Sequence, residues 1–164
     1  MVVKVKDNIW MMGRILITGA SGFIGSHICL VLLENGYRII GIDSFENSSP
    51  ESLKRVFNIL GKNASDSHQF LEIIRGDIRD KGFIEKVFRD ALSKNEPISA
   101  VIHLAGLKSV INSVYNPFKY WEYNVMGSLN LFKVMNSFNC RTLVFSSSAT
   151  VYKQSNELLR EDIP

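Results

Sequence analysis

Three glycines spaced three residues apart, directly after a short apolar run, constrain this chain more than any other feature. Residues 15–25 read I-L-I-T-G-A-S-G-F-I-G, and an apolar-rich stretch continues to Asn35. Strand, glycine turn and helix in this order are typical of a dinucleotide site. The first glycine turns the chain, the second lets a pyrophosphate approach the backbone, and the third lets the helix pack close to the strand. The N–H groups of the first helical turn then face the phosphates.

Composition and charge exclude several classes of function. The chain has 164 residues, 46% of them apolar, and a net charge of +3 with scattered lysines and arginines. A nucleic-acid-binding face needs those residues clustered, and no apolar run is long enough to span a bilayer. Residues 1–12 lack the apolar core and cleavage site of a signal peptide, so we expect a cytoplasmic protein. Cys29 and Cys140 are lone cysteines in apolar surroundings, and we interpret them as buried hydrophobes, with no disulfide and no metal site.

Strands and helices alternate along the chain. Residues 1–13 fit no element and are expected to be a disordered extension, whereas residues 14–164 are expected to form one domain. Strands are predicted at 14–18, 37–42, 70–75, 98–104 and 142–145, and helices at 23–35, 48–60, 80–93 (with Asp80 as N-cap) and 117–136. This order predicts an α/β fold, a Rossmann-type doubly wound parallel sheet with strand order 3-2-1-4-5.

Asp43 stands at the predicted end of the second strand, at about the distance beyond Gly19 where dinucleotide sites place an acidic residue. Its carboxylate can accept hydrogen bonds from the adenosine ribose hydroxyls and would repel a 2′-phosphate. No arginine follows it closely, so the sequence favours NAD over NADP. The alternative is a helix cap or a solvated loop acid, but the motif, the spacing and the strand end all favour the ribose role.

Residues that could take part in binding or catalysis also lie at the ends of the fourth and fifth strands. His103 lies in an apolar strand and is interpreted as a buried, hydrogen-bonded histidine rather than a catalyst. The small residues Ala105 and Gly106 behind it let a cofactor lie against the backbone. Hydroxyls in residues 146–150 can bond a sugar hydroxyl, although a serine run alone usually marks a loop. The aromatic residues that open the last predicted helix indicate either core packing or a subunit interface: Phe118, Tyr120, Trp121 and Tyr123.

Five segments carry a resemblance to a known family. They read I-L-I-T-G-A-S-G-F-I-G-S-H (15–27), G-D-I-R-D (76–80), V-I-H-L-A-G-L-K-S-V (101–110), N-V-M-G-S (124–128) and F-S-S-S-A-T-V-Y (145–152). Over residues 14 to about 152 the chain resembles the extended short-chain dehydrogenase/reductases. The first segment marks this superfamily alone. A-G-L-K-S-V and S-S-S-A-T-V-Y narrow the resemblance to the UDP-glucose 4-epimerases within it.

The resemblance implies tightly held NAD, a UDP-sugar substrate epimerised at C4, and a homodimer. Carried over position by position, it implies a pyrophosphate site at Gly19, Gly22, Phe23, Ile24 and Gly25. The adenosine ribose and its phosphate would be bound by Asp43, Asn47 and Ser48, and adenine would be flanked by Asp77 and Ile78. The nicotinamide side would be lined by Leu104, Ala105, Gly106 and Lys108, with Asn124 bracing the site. Ser148 matches the catalytic serine, and Thr150 matches a substrate-contacting threonine.

The family's proton-transferring tyrosine belongs to a Tyr-x-x-x-Lys pair that follows the catalytic serine farther on than Pro164. We therefore expect this chain to be an amino-terminal part without the later strands and the substrate domain, and inactive alone. A general acid/base by itself contributes about 10²–10⁴ in rate. The alternatives are a non-catalytic NAD-binding remnant and another sugar-nucleotide epimerase or reductase of the extended family. We also expect an exposed edge at the fifth strand and an uncovered apolar helix face near Trp121.

Overall fold

The computed structural model describes residues 13–61, 70–148 and 160. In these ranges the strands are β1 (Arg14–Thr18), β2 (Ile39–Asp43), β3 (Leu71–Arg75), β4 (Ile98–His103) and β5 (Thr142–Phe145). The helices are α1 (Phe23–Glu34), α2 (Glu51–Ile59), α3 (Lys81–Ser93), α4 (Val110–Tyr115), α5 (Pro117–Tyr120), the π-helical turn π1 (Trp121–Met126) and α6 (Gly127–Ser137). The predicted extension at residues 1–13 lies outside these ranges except for Gly13, which is buried.

The strands form one parallel sheet in the order β3-β2-β1-β4-β5, which confirms the predicted topology. In the centre of the sheet, Ile17 of β1 is paired with Gly41 on one side and Ile102 on the other. Every residue of β1 is buried, as expected for a parallel strand covered on both faces. The carboxyl ends of all the strands therefore meet at one edge of the sheet.

Alternate side chains of β1 enter two separate cores. Leu16 packs in a core with Leu131 of α6, while Ile17 packs in a second core with Leu33 of α1 and Leu53 of α2. The period of two follows from the pleat of the strand, which directs successive side chains to opposite faces. Helices on both faces of the sheet thus hold the strand ends in a fixed relation to one another.

The two cysteines are buried, one in each core, which confirms their interpretation as small hydrophobes. Burial raises the pKa of Cys29 to about 12, so its thiol stays protonated near neutral pH. Among the residues that the structure describes, no group of histidine, cysteine and carboxylate side chains could hold a metal ion. In the same residues, no helix has the length and apolar character needed to cross a membrane.

The start of β2 differs from the prediction, which placed it at Tyr37. The strand begins at Ile39 because Gly36 and Tyr37 still belong to the carboxyl-terminal cap of α1. Gly36 has a φ of +78°, and the Tyr37 N–H donates to the Leu32 carbonyl at 3.0 Å. A glycine in the left-handed region followed by such a backward hydrogen bond is a common helix terminus.

The segment between β4 and β5 is more irregular than the single predicted helix. The short helix α4 was not predicted, and its N-cap Ser109 accepts a hydrogen bond from the Asn112 N–H. The predicted helix at 117–136 is helical throughout, but its middle part, π1, is π-helical. Single π-helical turns inside α-helices occur frequently at functional sites.

Two aromatic residues of this segment are exposed to solvent. Phe118 is 85% exposed and Trp121 is 62% exposed. Within the described residues, the interpretation of these two side chains as part of the core is therefore wrong. The subunit interface stays a prediction. β5 lies at the edge of the described sheet, and its residues Val144 and Phe145 are more than half exposed, at 57% and 52%.

Ion pairs join several elements at the opposite, amino-terminal edge of the sheet. Arg14 of β1 is 5% exposed, and its Nε donates to Glu96 Oε2 at 2.7 Å. Glu96, in the loop before β4, also pairs with Arg38, which precedes β2. Arg14 Nη1 lies 3.8 Å from Glu72 of β3. Burial alone would raise the pKa of Glu96. The adjacent guanidinium groups of Arg14 and Arg38 together lower this pKa by a larger amount, so that the net shift is downward.

Replacement of Glu96 by glutamine should lower the free energy of unfolding at pH 7 by about 1.5–3 kcal/mol, since it removes a hydrogen-bonded charge from a buried guanidinium. Because the folded state lowers the pKa of Glu96, this stabilisation is present above the ordinary glutamate pKa and is lost as the pH falls through the lowered value. Urea unfolding at pH 7 and at lower pH measures both effects.

The matched control is Glu85→Gln, since Glu85 lies 3.0 Å from Lys81 Nζ in a pair that is more exposed than the one between Arg14 and Glu96. It should cost less than about 0.5 kcal/mol. Equal effects of the two substitutions would contradict a stabilising role for the buried cluster.

Candidate functional site

A cleft of about 800 Å³ opens at the carboxyl ends of the strands. It is lined by every residue that the resemblance assigns to cofactor binding: Gly19, Gly22, Phe23, Ile24, Gly25, Asp43, Asn47, Ser48, Asp77, Ile78, Leu104, Ala105, Gly106, Lys108 and Asn124. Ser148 lines the same cleft, whereas Thr150 lies outside the described residues. The parallel sheet brings these residues together from distant parts of the sequence.

The glycine turn brings α1 against β1 with no side chain between them. Gly19 has a φ of +72°, a conformation that favours glycine, and a Cβ there would lie 2.9 Å from the Ala105 nitrogen. A Cβ at Gly25 would overlap the Gly19 carbonyl oxygen and lie 2.9 Å from Ala20 Cα. Packing of the backbone therefore requires glycine at both positions.

Gly22 lies in the same turn, but packing imposes little there. Its φ of −69° and ψ of 173° suit any residue, and a Cβ would meet one atom, the Gly19 carbonyl oxygen at 3.3 Å. Gly22 is also the N-cap of α1, which has no side-chain cap and no acidic residue in its first turn. The positive end of the α1 dipole thus borders the cleft with no anionic group of its own helix beside it. An anion fits this position.

The Asp43 carboxylate is held by three donors at the end of β2. Oδ2 accepts the Ser21 N–H of the glycine turn at 2.8 Å. Oδ1 accepts the Phe45 N–H at 2.9 Å and the Ser48 hydroxyl at 2.6 Å. A carboxylate oxygen has two lone pairs, so Oδ2 keeps capacity for one more donor. Asp43 therefore both ties β2 to the glycine turn and offers an acceptor in the cleft.

Asp77 lies in the cleft after β3 and is paired with Arg79. Its carboxylate accepts two hydrogen bonds from the Arg79 guanidinium to Oδ2, at 2.6 and 3.0 Å, and the Arg79 N–H to Oδ1 at 2.8 Å. Partial burial raises the pKa of Asp77, but these bonds lower it below its ordinary value. The guanidinium carbon lies 3.6 Å from the centroid of the Tyr123 ring in π1. This contact fixes the carboxylate relative to the opposite side of the cleft.

His103 is 2% exposed and bonded at both ring nitrogens, which confirms its interpretation as a satisfied buried histidine. Nδ1 lies 2.6 Å from the Thr18 hydroxyl and Nε2 lies 2.8 Å from the Ser128 hydroxyl. Burial lowers the pKa of His103 to about 4, so the ring is neutral at pH 7. The ring also contacts the aromatic rings of Phe132 and Phe145, with centroid distances of 6.1 and 5.4 Å.

Asn124 of π1 anchors the segment that follows β4. Its Oδ1 accepts the Leu107 N–H at 2.8 Å, and its Nδ2 donates to the Leu107 carbonyl at 2.9 Å. One side chain thus satisfies both backbone groups of a loop residue that borders the cleft. This arrangement agrees with the bracing role that the resemblance implies.

Sequence reasoning missed an ion pair between the two sides of the cleft. Lys119 Nζ of α5 donates to Glu46 Oε1 at 2.8 Å, and Glu46 lies in the loop after β2. Tyr123, which the sequence marks only as one of four aromatic residues, also lines the cleft. No local sequence pattern predicts the Glu46–Lys119 pair, because its members lie 73 positions apart in the sequence.

Comparison with known proteins gives one consistent result. Residues 15–164 match the NAD dependent epimerase/dehydratase family. The chain is 47% identical over 145 residues to a UDP-glucose 4-epimerase of Pisum sativum, and this match covers 88% of the chain and 39% of that protein.

Solved structures of UDP-glucose 4-epimerases have the same fold as this chain. The enzyme from Bifidobacterium longum, in complex with NAD+ and UDP, is 41% identical with a TM-score of 0.78. The enzyme from Stenotrophomonas maltophila, with bound NAD and formylated UDP-arabinopyranose, is 33% identical with a TM-score of 0.78. Each match covers 92% of this chain and 42% of the solved chain, so this chain spans about two fifths of their length.

Substitution of Gly25 by alanine should destabilise the chain by about 1–3 kcal/mol, because the new methyl group would meet backbone atoms that cannot rotate away. Urea unfolding followed by circular dichroism measures the loss. Gly82→Ala is the control, since Gly82 lies in α3 and a Cβ there would meet Asp80 Oδ1 at 3.4 Å. The control should be neutral or stabilising by up to about 1 kcal/mol. A Gly25→Ala protein as stable as the control would refute the packing requirement.

Proposed function

Because the chain belongs to the NAD dependent epimerase/dehydratase family, we propose that its cleft binds NAD and that it serves the C4 epimerisation of UDP-glucose and UDP-galactose. The similar UDP-glucose 4-epimerases support the substrate class, and those solved with NAD support the cofactor. The observation that carries the cofactor proposal is the meeting of Gly22, the amino end of α1 and Asp43 in one cleft. A cytoplasmic location and a homodimer are also proposals, based on the sequence and the family alone.

The pyrophosphate is proposed to bind at Gly22 and the first turn of α1. Packing requires glycine at position 25 but not at position 22. The absence of a side chain at Gly22 is therefore better explained by a ligand that approaches the backbone. The N–H groups of the first helical turn lack intrahelical acceptors and can donate to phosphate oxygens. The helix dipole favours the same negative charge.

A hydroxyl of the adenosine ribose is proposed to donate a hydrogen bond to Asp43 Oδ2. Oδ1 already accepts two hydrogen bonds, whereas Oδ2 accepts one. The same carboxylate would repel the 2′-phosphate of NADP, which supports the preference for NAD. Asn47 and Ser48 line the same cleft, and Asp77 and Ile78, which also line it, are proposed to flank adenine.

The reacting end of the cleft is proposed to lie between residues 104–108 and Ser148. NAD, when bound, supplies an acceptor for the hydride of an alcohol carbon. Ser148 lines the cleft and is proposed to hydrogen-bond the reacting sugar hydroxyl. Leu104, Ala105 and Gly106 offer a small, partly apolar surface for a flat ring, and Lys108 adds a positive charge on the same side of the cleft. A cofactor-binding module without catalysis would have the same site and would also bind NAD. It would differ from an epimerase only in that it does not interconvert UDP-glucose and UDP-galactose.

Calorimetric titration of the purified chain with NAD tests the proposal, with the oligomeric state measured alongside. We expect the chain to bind NAD and Gly22→Ala to bind it at least about tenfold more weakly. The stability of Gly22→Ala should stay within about 1 kcal/mol of the wild type, because its Cβ has little to displace in the folded chain. Equal affinities of the two proteins would contradict a pyrophosphate at Gly22. An assay of UDP-glucose and UDP-galactose interconversion by a longer protein that also carries the family's Tyr-x-x-x-Lys pair then separates an epimerase from a binding module, because the chain alone is expected to be inactive.

Asp43→Ala should weaken NAD binding by about 1.5–3 kcal/mol, the usual range for a hydrogen bond to a charged group. NADP binding should weaken less or improve, since a repulsive charge is removed. The control is Ser52→Ala, because the Ser52 hydroxyl donates to the Ser21 carbonyl at 2.8 Å and supports the same turn. It should change the NAD and NADP affinities equally and by less than about threefold. An unaltered NAD affinity in folded Asp43→Ala would exclude Asp43 from the site.

A further inference from the structure

We propose that His103 is a positioning residue that sets the shape of residues 104–108, the side of the cleft assigned to the nicotinamide end of the cofactor. The inference rests on the proposed NAD site and deepens it. The carrying observation is a directed series of hydrogen bonds in which His103 is the central member, here called the β4 relay: Thr18, His103, Ser128 and Asn124.

The first half of the β4 relay begins at the cleft. The Ala105 N–H donates to the Thr18 hydroxyl oxygen at 3.3 Å, and the Leu104 N–H is shared between that oxygen at 3.3 Å and the Thr18 carbonyl at 3.1 Å. The Thr18 hydroxyl then has its own proton left to donate, and the acceptor 2.6 Å away is His103 Nδ1. The turn after β4 is thus tied through Thr18 to one face of the imidazole ring.

The second half runs from the ring to Ser128 of α6 and Asn124 of π1. The Ser128 hydroxyl donates to the Asn124 carbonyl at 2.5 Å, so it accepts from His103 Nε2. The Asn124 side chain in turn bonds both backbone groups of Leu107. Both ends of the relay therefore reach residues 104–108, one at Leu104 and Ala105 and the other at Leu107.

These directions assign the histidine tautomer and explain why this side chain suits the position. Nε2 carries the proton and Nδ1 accepts, which is the neutral ring with one donor and one acceptor on opposite sides. Protonation of Nδ1 would set a donor against the Thr18 hydroxyl and leave that hydroxyl without its acceptor. Phe132 and Phe145 border the ring and restrict its rotation.

A purely structural role would affect all ligands alike, whereas the proposed role is local. ADP carries the adenosine and pyrophosphate of the cofactor but lacks the nicotinamide riboside. Loss of the β4 relay should therefore weaken NAD binding and leave ADP binding nearly unchanged. The ratio of the two dissociation constants is the readout that a general loss of stability would not move.

Ser128→Ala tests the relay with a small change in volume. The matched control is Ser137→Ala on the exposed side of α6, where the Ser137 hydroxyl donates to the Lys133 carbonyl. Calorimetry with NAD and with ADP should show about 3- to 10-fold weaker NAD binding for Ser128→Ala. ADP binding should change less than about twofold, and the control should change neither affinity. Equal weakening of both ligands, or unaltered NAD affinity in folded Ser128→Ala, would overturn the inference. A wild-type chain that binds neither ligand would overturn the NAD site itself and this inference with it.

A second measurement tests the relay without any substitution. Nitrogen-15 NMR of the histidine-labelled chain should show His103 protonated at Nε2 and unprotonated at Nδ1 at pH 7. The opposite tautomer, or rapid exchange between the two, would be incompatible with the assigned hydrogen-bond directions and would overturn the inference.

Discussion

Backbone contact between α1 and the glycine turn is the constraint on which the rest of the structure depends. Gly25 approaches the backbone of Gly19 and Ala20 so closely that no side chain fits between them, and Gly19 is backed by Ala105 after β4. Three elements, β1, α1 and the end of β4, therefore meet at one point of the sheet edge. A side chain at either glycine would separate them and change the cleft that they enclose.

Asp43 extends this arrangement to the second strand. Its carboxylate is buried, which would be costly for an unpaired charge, but three donors surround it. One of these donors is the Ser21 N–H in the glycine turn itself. The group proposed to bind the ribose is thus held in place before any ligand arrives, and a prealigned acceptor loses little conformational entropy on binding. The side chain that supports the fold is thus also the one proposed to bind the ligand.

The other side of the cleft depends on polar groups inside an apolar layer. Thr18 and His103 lie on adjacent central strands, where unbonded polar atoms would be unfavourable. They satisfy one another and continue through Ser128 to the π-helical turn that carries Asn124. Because the Thr18 and Ser128 hydroxyls each have one proton to donate and the neutral His103 ring has one donor and one acceptor, the hydrogen bonds have a single consistent set of directions. Burial, which lowers the pKa of His103 to about 4, keeps the ring in the neutral form that this geometry needs.

The sequence by itself determined β1 and β5 to the residue, the strand order, and the positions of the glycine turn and Asp43. These features depend on neighbouring residues and on the right-handed crossover of parallel strands, which are readable from local patterns. Only the tertiary structure decided the π-helical turn, the Asp77–Arg79 contact with Tyr123, and the partners of His103. The Thr18 and His103 side chains bond across 85 positions of sequence. Which partner a buried polar group finds depends on how distant elements pack, and no local period encodes that.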